Sequence, residues 1–493
     1  MERGTDRTFR EEESMIVHRS LRKYLGMAIA VIFSLALCKP AAAQTPSAEP
    51  VKKVFTMEQA VDFALKNYPA VRASLERVRA AEAGVGLART NYLPRADVLW
   101  QANRATDNNI TGLLLPQSII SPISGPVPVS TSNQSAWGSA AGLLFSWEPL
   151  DFGYRGAKVD ATRAAQNRAT AEASSTRLDV SIATVNAYMT LLAAEQTVRA
   201  AEADMQRRQE FAKSVHVLVD NQLRPGADAS RADADFARAR VSRARVQQQE
   251  AISRALLADI LGIANSQVEV QESGLLGAVP GSAPAATSVS ANPAAQAQQA
   301  RVEESQSQVH ILDRSYYPKF YLQSSVYGRG SGLDPAGKFL GGSEGLAPDR
   351  CNWAAGVTVT FPVFDIFTIR SKKAVEAANE RAEKARYDQT LQDLTGQLRK
   401  AQASLEGARK VAENTPLELE AAHTTETQVR ARYQAGLATL VDVSDAESLL
   451  VQAEIDDALA RLAVWQNLAS VAAAQGDLRP FLQSLPGTPR GGH

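Results

Sequence analysis

The longest regular pattern in the chain is a heptad spacing of apolar side chains. Within the proline-free stretch 155–222, apolar residues recur at steps of four and three: Leu178, Ile182, Val185, Met189 and Leu192. This spacing predicts a helix with one apolar face. At 1.5 Å per residue, the helix would be roughly 100 Å long. Residues 369–433 predict a second long helix, broken or kinked near Pro416.

Four shorter helices are predicted at residues 57–91, 227–262, 291–317 and 438–475. The first two together nearly match the first long helix in length, and the other two nearly match the second. Two short helices stacked end to end could therefore pair along each long helix. Heptads alone would fit an ordinary coiled-coil rod equally well.

Alternating apolar and polar residues predict four β-strands, at about 95–104, 136–148, 318–328 and 352–364. In the last, Trp353 and Val357 fall on one face while Asn352 and Thr358 fall on the other. Such alternation suits a membrane strand, although a half-buried soluble strand gives the same pattern. A lipid-exposed sheet cannot keep an open edge, and four strands cannot enclose a lumen. A membrane-spanning chain would therefore oligomerise, and three copies would supply twelve strands.

The chain also repeats itself. "NYLPRADVLW" corresponds to "SYYPKFYLQS", and "LLFSWEPLDFG" corresponds to "VTFPVFDIFTI". The sequence predicts a mostly α-helical, internally duplicated fold with a small β part. The first repeat spans 44–272, a Gly-, Ala-, Ser- and Pro-rich linker spans 273–293, the second repeat spans 294–476, and a tail spans 477–493.

Each repeat contains a Gly-Asp segment, "LRPGADASRADADFARA" or "YQAGLATLVDVSDAESLL". We predict two helix–turn–helix tips at residues 223–228 and 434–441. Gly226 and Gly436 are expected to permit the backbone of each turn. Measured from glycine to aspartate, the first tip is four residues shorter than the second.

Three carboxylates follow these turns. Asp228 and Asp442 fall in the first turn of the returning helices, where the helix dipole favours a negative charge. Asp442 and Asp445 are three residues apart and share one helix face. Stacked rings of these carboxylates in a trimer would attract cations and raise the carboxylate pKa values. Helix capping and solvation are the competing explanation for all three residues.

Residues 1–43 have the features of a secretory signal peptide. A basic stretch precedes an apolar run at 25–37 and an Ala-Ala-Ala site ending at Ala43. The run is shorter than a membrane-spanning helix needs, although an uncleaved anchor remains the alternative. Met15 is a candidate start, and bulky Leu37 argues against lipidation of Cys38. Cleavage after Ala43 leaves Cys351 as the one cysteine, so no disulfide can form within the mature chain.

Composition, histidine spacing and motif searches argue against several functions. The 493 residues carry 53 basic and 53 acidic side chains, so no global charge suggests a nucleic-acid partner. The five histidines are scattered, with no partner at metal-ligand spacing. "GLDPAGKF" nearly matches a phosphate-binding loop, but Phe339 replaces the required Ser or Thr. We predict no enzymatic activity, no cofactor and no metal site.

The duplicated pattern, the "YLP" and "YYP" junctions, "FPVFD" and "YQAGLATLVDVSDAE" closely resemble the TolC-type outer-membrane efflux proteins over residues 56–476. The resemblance implies a homotrimer with a twelve-stranded β-barrel in the outer membrane, in contact with its lipid, and a long α-helical barrel in the periplasm. It implies the exit duct of a tripartite efflux pump or type I secretion system. Its partners would be a periplasmic membrane-fusion adaptor and an inner-membrane transporter.

The resemblance also implies roles for residues at the tips. Asp442, Asp445 and Asp228 would form the constriction at the periplasmic end, and Tyr433 lies where the family ties the closed tips together. Ala438 departs from the pattern, because some members carry arginine there. The implied adaptor contacts are Gly226, Ala227, Gly436, Leu437, Ala438 and Thr439.

A periplasmic coiled-coil adaptor without a pore is the alternative function. An adaptor should carry one helical hairpin flanked by compact β domains. This sequence predicts two hairpins and paired amphipathic strands, which favours the channel.

The loops at 106–135 and 328–351 are rich in Gly, Pro and Ser, and outer-membrane barrels place their long loops outside the cell. We therefore expect an impermeant thiol reagent to label Cys351 on intact cells, with Cys351→Ser as the unlabelled control. Labelling that requires a permeabilised outer membrane would contradict this orientation.

Overall fold

The computed structural model describes residues 53–106, 119, 133–271, 274–277, 288–334 and 338–486. These residues belong to one structural unit, Lys52–His493. The predicted signal peptide, most of the loop predicted at 106–135 and part of the predicted linker lie outside them.

The described part of the chain is mostly helical, with two very long helices and a smaller set of strands. In chain order the elements are β1 (Lys53–Phe55), α1 (Met57–Asn67), α2 (Pro69–Thr90), β2 (Arg95–Thr106), β3 (Ser135–Leu150), α3 (Tyr154–Asp220), α4 (Gly226–Ile260), β4 (Val268–Val270), a 3₁₀ turn (Val289–Ala291), α5 (Pro293–Arg314), β5 (Lys319–Ser331), β6 (Arg350–Thr360), α6 (Asp365–Gln434), α7 (Leu440–Gln475) and α8 (Arg479–Gln483).

The heptad positions of α3 pack into the main apolar core, as predicted. Val185, Met189 and Leu192 are buried there, and Leu178 and Ile182 pack against its edge. Helix α3 contacts α1, α2, α4, α5 and α7, and α6 contacts α5 and α7, so the two repeats pack against each other. In the described part of the chain, no helix has a stretch long and apolar enough to cross a membrane.

Short helices meet end to end beside each long helix, as the matched lengths predicted. Gly262, just after α4, lies so close to α1 that an added Cβ would be 3.2 Å from the carbonyl oxygen of Asn67. Gly476, just after α7, lies against the start of α5, where an added Cβ would be 2.7 Å from the Cα of Asn292. Both glycines have positive φ, at 72° and 88°. This conformation, together with the close approach, favours glycine at both junctions.

One prediction about helix continuity was wrong, and the break predicted as one alternative near Pro416 is absent. The single helix predicted at 57–91 is two helices, because Pro69 holds Tyr68 in an extended conformation (φ −65°, ψ 128°). Helix α6 is not broken at Pro416. The neighbouring Thr415 is buried and donates a 3.0 Å hydrogen bond to Asp457 on α7. Packing against α7 thus supports the helix where proline removes a backbone donor.

The four predicted strands form one antiparallel sheet in the order β2-β3-β5-β6. Its register aligns Val98, Leu143, Val326 and Trp353 in one row across all four strands. Side chains in one row share a face, and this face is open: Val98 is 83% exposed and Trp353 is 79% exposed. The alternation therefore produces one continuous apolar face, and β2 and β6 are the sheet edges.

The last strand is shorter than predicted at one end and longer at the other. Strand β6 ends at Thr360 rather than at 364, because Pro362 cannot continue the ladder of hydrogen bonds. It begins at Arg350, so Cys351 lies in the strand rather than in the predicted loop, and it is exposed.

Three small elements were not predicted from the sequence. Strands β1 and β4 pair in parallel and bring the two ends of the first repeat together. The buried hydroxyl of Tyr188 on α3 donates to the carbonyl oxygens of Phe55 and Gln271, at 3.2 and 2.8 Å. Helix α8 forms in the segment predicted as a tail, with Phe481 buried against Trp465.

The junction at Gly476 generates a stability prediction. Gly476→Ala should destabilise the protein by about 1–3 kcal/mol or more, because alanine is strained at positive φ and its Cβ would overlap the Asn292 backbone. Gly396→Ala in the open interior of α6 is the matched control. It should stabilise the protein by about 0.5–1 kcal/mol. Thermal unfolding followed by circular dichroism at 222 nm would measure both. Equal effects of the two substitutions would contradict the packing argument.

Candidate functional site

The two predicted tips are tight helix–turn–helix connections with the same hydrogen-bonding pattern. At the end of α3, Leu223 N–H donates to the Leu218 carbonyl at 2.9 Å, and Gln222 has a φ of 60°. At the end of α6, Leu437 N–H donates to the Arg432 carbonyl at 2.8 Å, and Gly436 has a φ of 79°. Both ends are Schellman motifs, in which one left-handed residue closes the helix.

This correspondence corrects two predictions about the first tip. The residue equivalent to Gly436 is Gln222, not Gly226, which is the first residue of α4. The two turns are also equal in length, because Asp228 and Asp442 are each the third residue of the returning helix. The apparent four-residue difference arose from aligning the two glycines, which occupy different positions in their turns.

Tyr433 joins the two tips within one chain. Its side chain is 1% exposed, and its hydroxyl donates a 3.3 Å hydrogen bond to Asp228 Oδ2. Arg224 Nη2 donates to the Tyr433 carbonyl at 2.7 Å, and its guanidinium carbon lies 4.4 Å from the centre of the Tyr433 ring. The Phe211 ring packs edge-on at 5.3 Å. Burial and the nearby Asp228 carboxylate raise the pKa of Tyr433, so its hydroxyl stays protonated and able to donate.

The sequence analysis did not identify Arg224 as a tip residue, although its position in the turn could have indicated it. Arg224 in the first turn is at the position equivalent to Ala438 in the second, two residues after the left-handed residue. The first tip of this chain therefore supplies an arginine at the position where the second tip has alanine. Ala438 instead packs against the apolar cluster around Tyr433.

Asp442 caps its own helix. Its Oδ2 accepts hydrogen bonds from Thr439 N–H at 2.8 Å and from Thr439 Oγ1 at 2.7 Å. These bonds to the carboxylate lower the pKa of Asp442 within a single chain. The capping explanation therefore holds for Asp442. The raised pKa expected for a ring of carboxylates concerns an assembly and stays a prediction.

The remaining predicted tip residues are on the surface. Asp445 is exposed one turn beyond Asp442. Leu437 is 70% exposed, and Leu223, its equivalent in the first turn, is 68% exposed. Gly226, Ala227, Gly436 and Thr439 are also exposed.

A buried ion network lies beside the tips, between α3, α6 and α7. At its centre Arg208 pairs with Asp204 at 2.9 Å and with Glu447 at 3.5 Å, and Arg430 pairs with Glu447 at 2.9 Å. Ser444 and Ser448 accept hydrogen bonds from Arg208. The members are Asp204, Arg207 and Arg208 on α3, Glu426 and Arg430 on α6, and Glu447 and Glu454 on α7.

The network holds four carboxylates and three guanidinium groups. Glu447 is 1% exposed. Its burial, reinforced by the Asp204 and Glu426 carboxylates, raises its pKa, and Arg208 and Arg430 offset only part of this. Burial likewise raises the pKa of Asp204. No sequence pattern indicated this cluster, because its members are ordinary charged residues on three separate helices.

No chemistry of catalysis or metal binding emerges around the tips. Among the described residues, no group of three or more His, Cys, Asp or Glu side chains is arranged to hold a metal ion. The described residues that follow "GLDPAGKF" form turns rather than a helix.

Comparison with known proteins identifies the class of molecule. The family described as outer membrane efflux protein matches residues 60–263 and 287–477. The chain belongs to this family, and it is an outer-membrane efflux channel rather than an enzyme. The channel prediction is therefore confirmed over the periplasmic adaptor.

Individual relatives agree with this assignment. The chain is 24% identical over 435 residues to protein CyaE of Bordetella pertussis, covering 85% of this chain and 84% of that protein. The fold is similar to CusC (TM-score 0.71, 15% identity, 85% of this chain and 92% of that one). It is also similar to the CmeC outer membrane channel of Campylobacter jejuni (TM-score 0.68, 16% identity, 89% and 87%).

The buried network predicts a pH dependence of stability. A pKa that is higher in the folded than in the unfolded state contributes stability at low pH, which is lost as the pH rises through the folded value. The ordinary pKa of Glu447 is 4.5, so the free energy of unfolding should fall as the pH increases above this value. Glu447→Gln leaves three carboxylates for three guanidinium groups. This variant should show a smaller fall, measured as melting temperature between pH 5 and pH 8.

Arg208→Gln provides the opposite test. It leaves three buried carboxylates and the half-buried Glu454 with two guanidinium groups, and it should cost about 3–5 kcal/mol, as the loss of one partner from a buried pair does. The loss should be greater at pH 8 than at pH 5. Similar pH profiles for the wild type, Glu447→Gln and Arg208→Gln would contradict a surplus buried charge.

Proposed function

We propose that three copies of this chain form the exit duct of a tripartite efflux pump or type I secretion system. Each copy contributes four strands to a twelve-stranded barrel in the outer membrane, and its long helices form a helical barrel across the periplasm. The observation that carries the proposal is the sheet, whose exposed apolar face is bounded by the edge strands β2 and β6.

The sheet argues for closure between copies. An open edge in lipid would leave a row of unsatisfied backbone groups, and each such group costs several kcal/mol. Pairing β6 of one copy with β2 of the next removes every edge and directs the row of Val98, Leu143, Val326 and Trp353 outward, toward lipid. The polar face then lines the lumen.

An internal duplication accounts for the helical part. The order helix, strand, strand, long helix, returning helix occurs twice, as α2-β2-β3-α3-α4 and as α5-β5-β6-α6-α7. Each repeat ends in a tip, and three copies would bring six tips together at the periplasmic end. The Tyr433–Asp228 and Arg224–Tyr433 contacts would hold the two tips of each copy together in the closed duct.

The exposed turns are the proposed contacts with the periplasmic adaptor. Gly226, Ala227, Gly436, Leu437, Ala438 and Thr439 carry over from the family resemblance, and Leu223 joins them as the exposed equivalent of Leu437. An inner-membrane transporter would supply the energy. Asp442, Asp445 and Asp228 would line the constriction.

Assembly and conductance test the proposed function together. The detergent-solubilised protein should have the mass of three mature chains by light scattering. The same preparation should produce ion-conducting channels in planar bilayers. A stable monomer without conductance would contradict the proposed function.

The constriction can be tested separately from helix capping. Asp442→Asn with Asp445→Asn removes both charges yet leaves an oxygen that can accept from Thr439. This double variant should weaken block by hexamminecobalt(III) from the periplasmic side by roughly tenfold, because fewer charges attract the cation. Asp393→Asn, at an exposed mid-helix position of α6, should leave the block unchanged.

Thr439→Ala is the complementary variant. It removes the cap and should cost about 0.5–2 kcal/mol of stability, but it keeps both carboxylates and should keep the block. If the double Asn variant is blocked as strongly as the wild type, these aspartates cap helices and do not form the constriction.

A further inference from the structure

The charged residues of the sheet are distributed unequally between its two faces. In the four strands, the register places Arg95, Asp97, Lys319, Arg329 and Arg350 on the polar face. Glu148 follows the bulge in β3 and lies near Tyr321 of the same face. The polar face thus has four basic side chains against two carboxylates, although the whole chain carries no net charge.

One of the two carboxylates is already neutralised. Asp97 forms an ion pair with Arg95, on its own strand, at 2.9 Å. Asp97 therefore does not compensate the basic residues on β5 and β6.

The basic residues of β5 and β6 occur at both ends of these strands. Arg329 and Arg350 are directly opposite each other in the register. Arg329 is buried, whereas Arg350, on the edge strand, is exposed. At the other end, Lys319 is opposite the neutral Thr360.

The positive charge continues beyond the sheet into the start of α3. Lys319 Nζ and Lys158 Nζ each lie 4.5 Å from the centre of the Tyr154 ring. Two ammonium groups share one aromatic ring, which stabilises each cation without cancelling its charge. The junction between strands and helices is therefore basic as well.

We propose that the polar face of the sheet is an anion-attracting lining, with Lys319 and Arg350 determining a preference for solutes that carry phosphate or carboxylate groups. This inference rests on the proposed trimeric channel, in which Lys319 and Arg350 would each be repeated three times around one lumen. A charged lining in a confined space concentrates ions of opposite sign. The acidic tips at the other end would have the opposite preference.

Block by inorganic tripolyphosphate tests the lining directly. Added on the extracellular side of channels in planar bilayers, tripolyphosphate should block the wild type reversibly, and less strongly at high salt. Lys319→Gln with Arg350→Gln should raise the half-blocking concentration by at least about tenfold, since six positive charges are lost per trimer. The single variants Lys319→Gln and Arg350→Gln should each give a smaller increase, and either one suffices if the double variant fails to assemble.

Two further variants separate the lining from general charge effects. Arg104→Gln is the matched control, because Arg104 lies on the apolar face, opposite Trp137 in the register. It should leave the block unchanged. Lys319→Glu with Arg350→Glu should abolish block by tripolyphosphate and create block by hexamminecobalt(III) from the same side.

The outcomes distinguish this inference from the proposed function. Normal conductance without block by tripolyphosphate, or equal block in the wild type and the Gln variants, would overturn the inference alone. An equal loss of block in Arg104→Gln would also overturn it. Absence of any wild-type conductance would reject the proposed channel and the inference together.

Discussion

A sheet that is apolar on one face and open at both edges cannot find all its hydrogen-bonding partners and an apolar environment within one chain. The edge strands need hydrogen-bonding partners, and the row through Leu143 and Val326 needs an apolar surrounding. Water meets the first need but not the second, whereas lipid meets the second but not the first. Closure into a barrel between copies meets both. In the proposed trimer, each long helix would continue from a strand placed around the same axis.

The long helices are supported at their ends as much as along their faces. Gly262, after α4, packs tightly against the end of α1, and Gly476, after α7, lies against the start of α5 at a distance that excludes a side chain. Each long helix thereby gains a continuous partner along its length. The result does not require a thick core, which agrees with the low content of aromatic residues, 6% of the chain. Small side chains such as Ala60, Ala64 and Ala472 allow the helices to approach closely.

Local sequence patterns predicted most of the helices and strands. The features that these patterns did not predict depend on contacts between segments that are distant in the chain. Heptads and alternation are properties of neighbouring residues, so α3 and the four strands could be read from the sequence. The pairing of β1 with β4 involves three-residue strands far apart in the chain, too short to show a period. The tips were placed correctly but misaligned, because glycine was used as the marker. In the first turn Gln222 adopts the left-handed conformation, and only the hydrogen bonds of the Schellman motif reveal the equivalence.

The ion network and the tips are mechanically connected through a short series of contacts. Arg430, which pairs with buried Glu447, also lies 5.9 Å from the centre of the Phe211 ring, and Phe211 packs on Tyr433. A movement that separates α3 from α6 and α7 near the tips would break the Tyr433 contacts. It would also leave buried carboxylates without their guanidinium partners, which is more costly than losing an exposed pair. The packing of the two tips is therefore supported by the network behind them as well as by Tyr433 itself, and its stability depends on the protonation of Glu447 and Asp204.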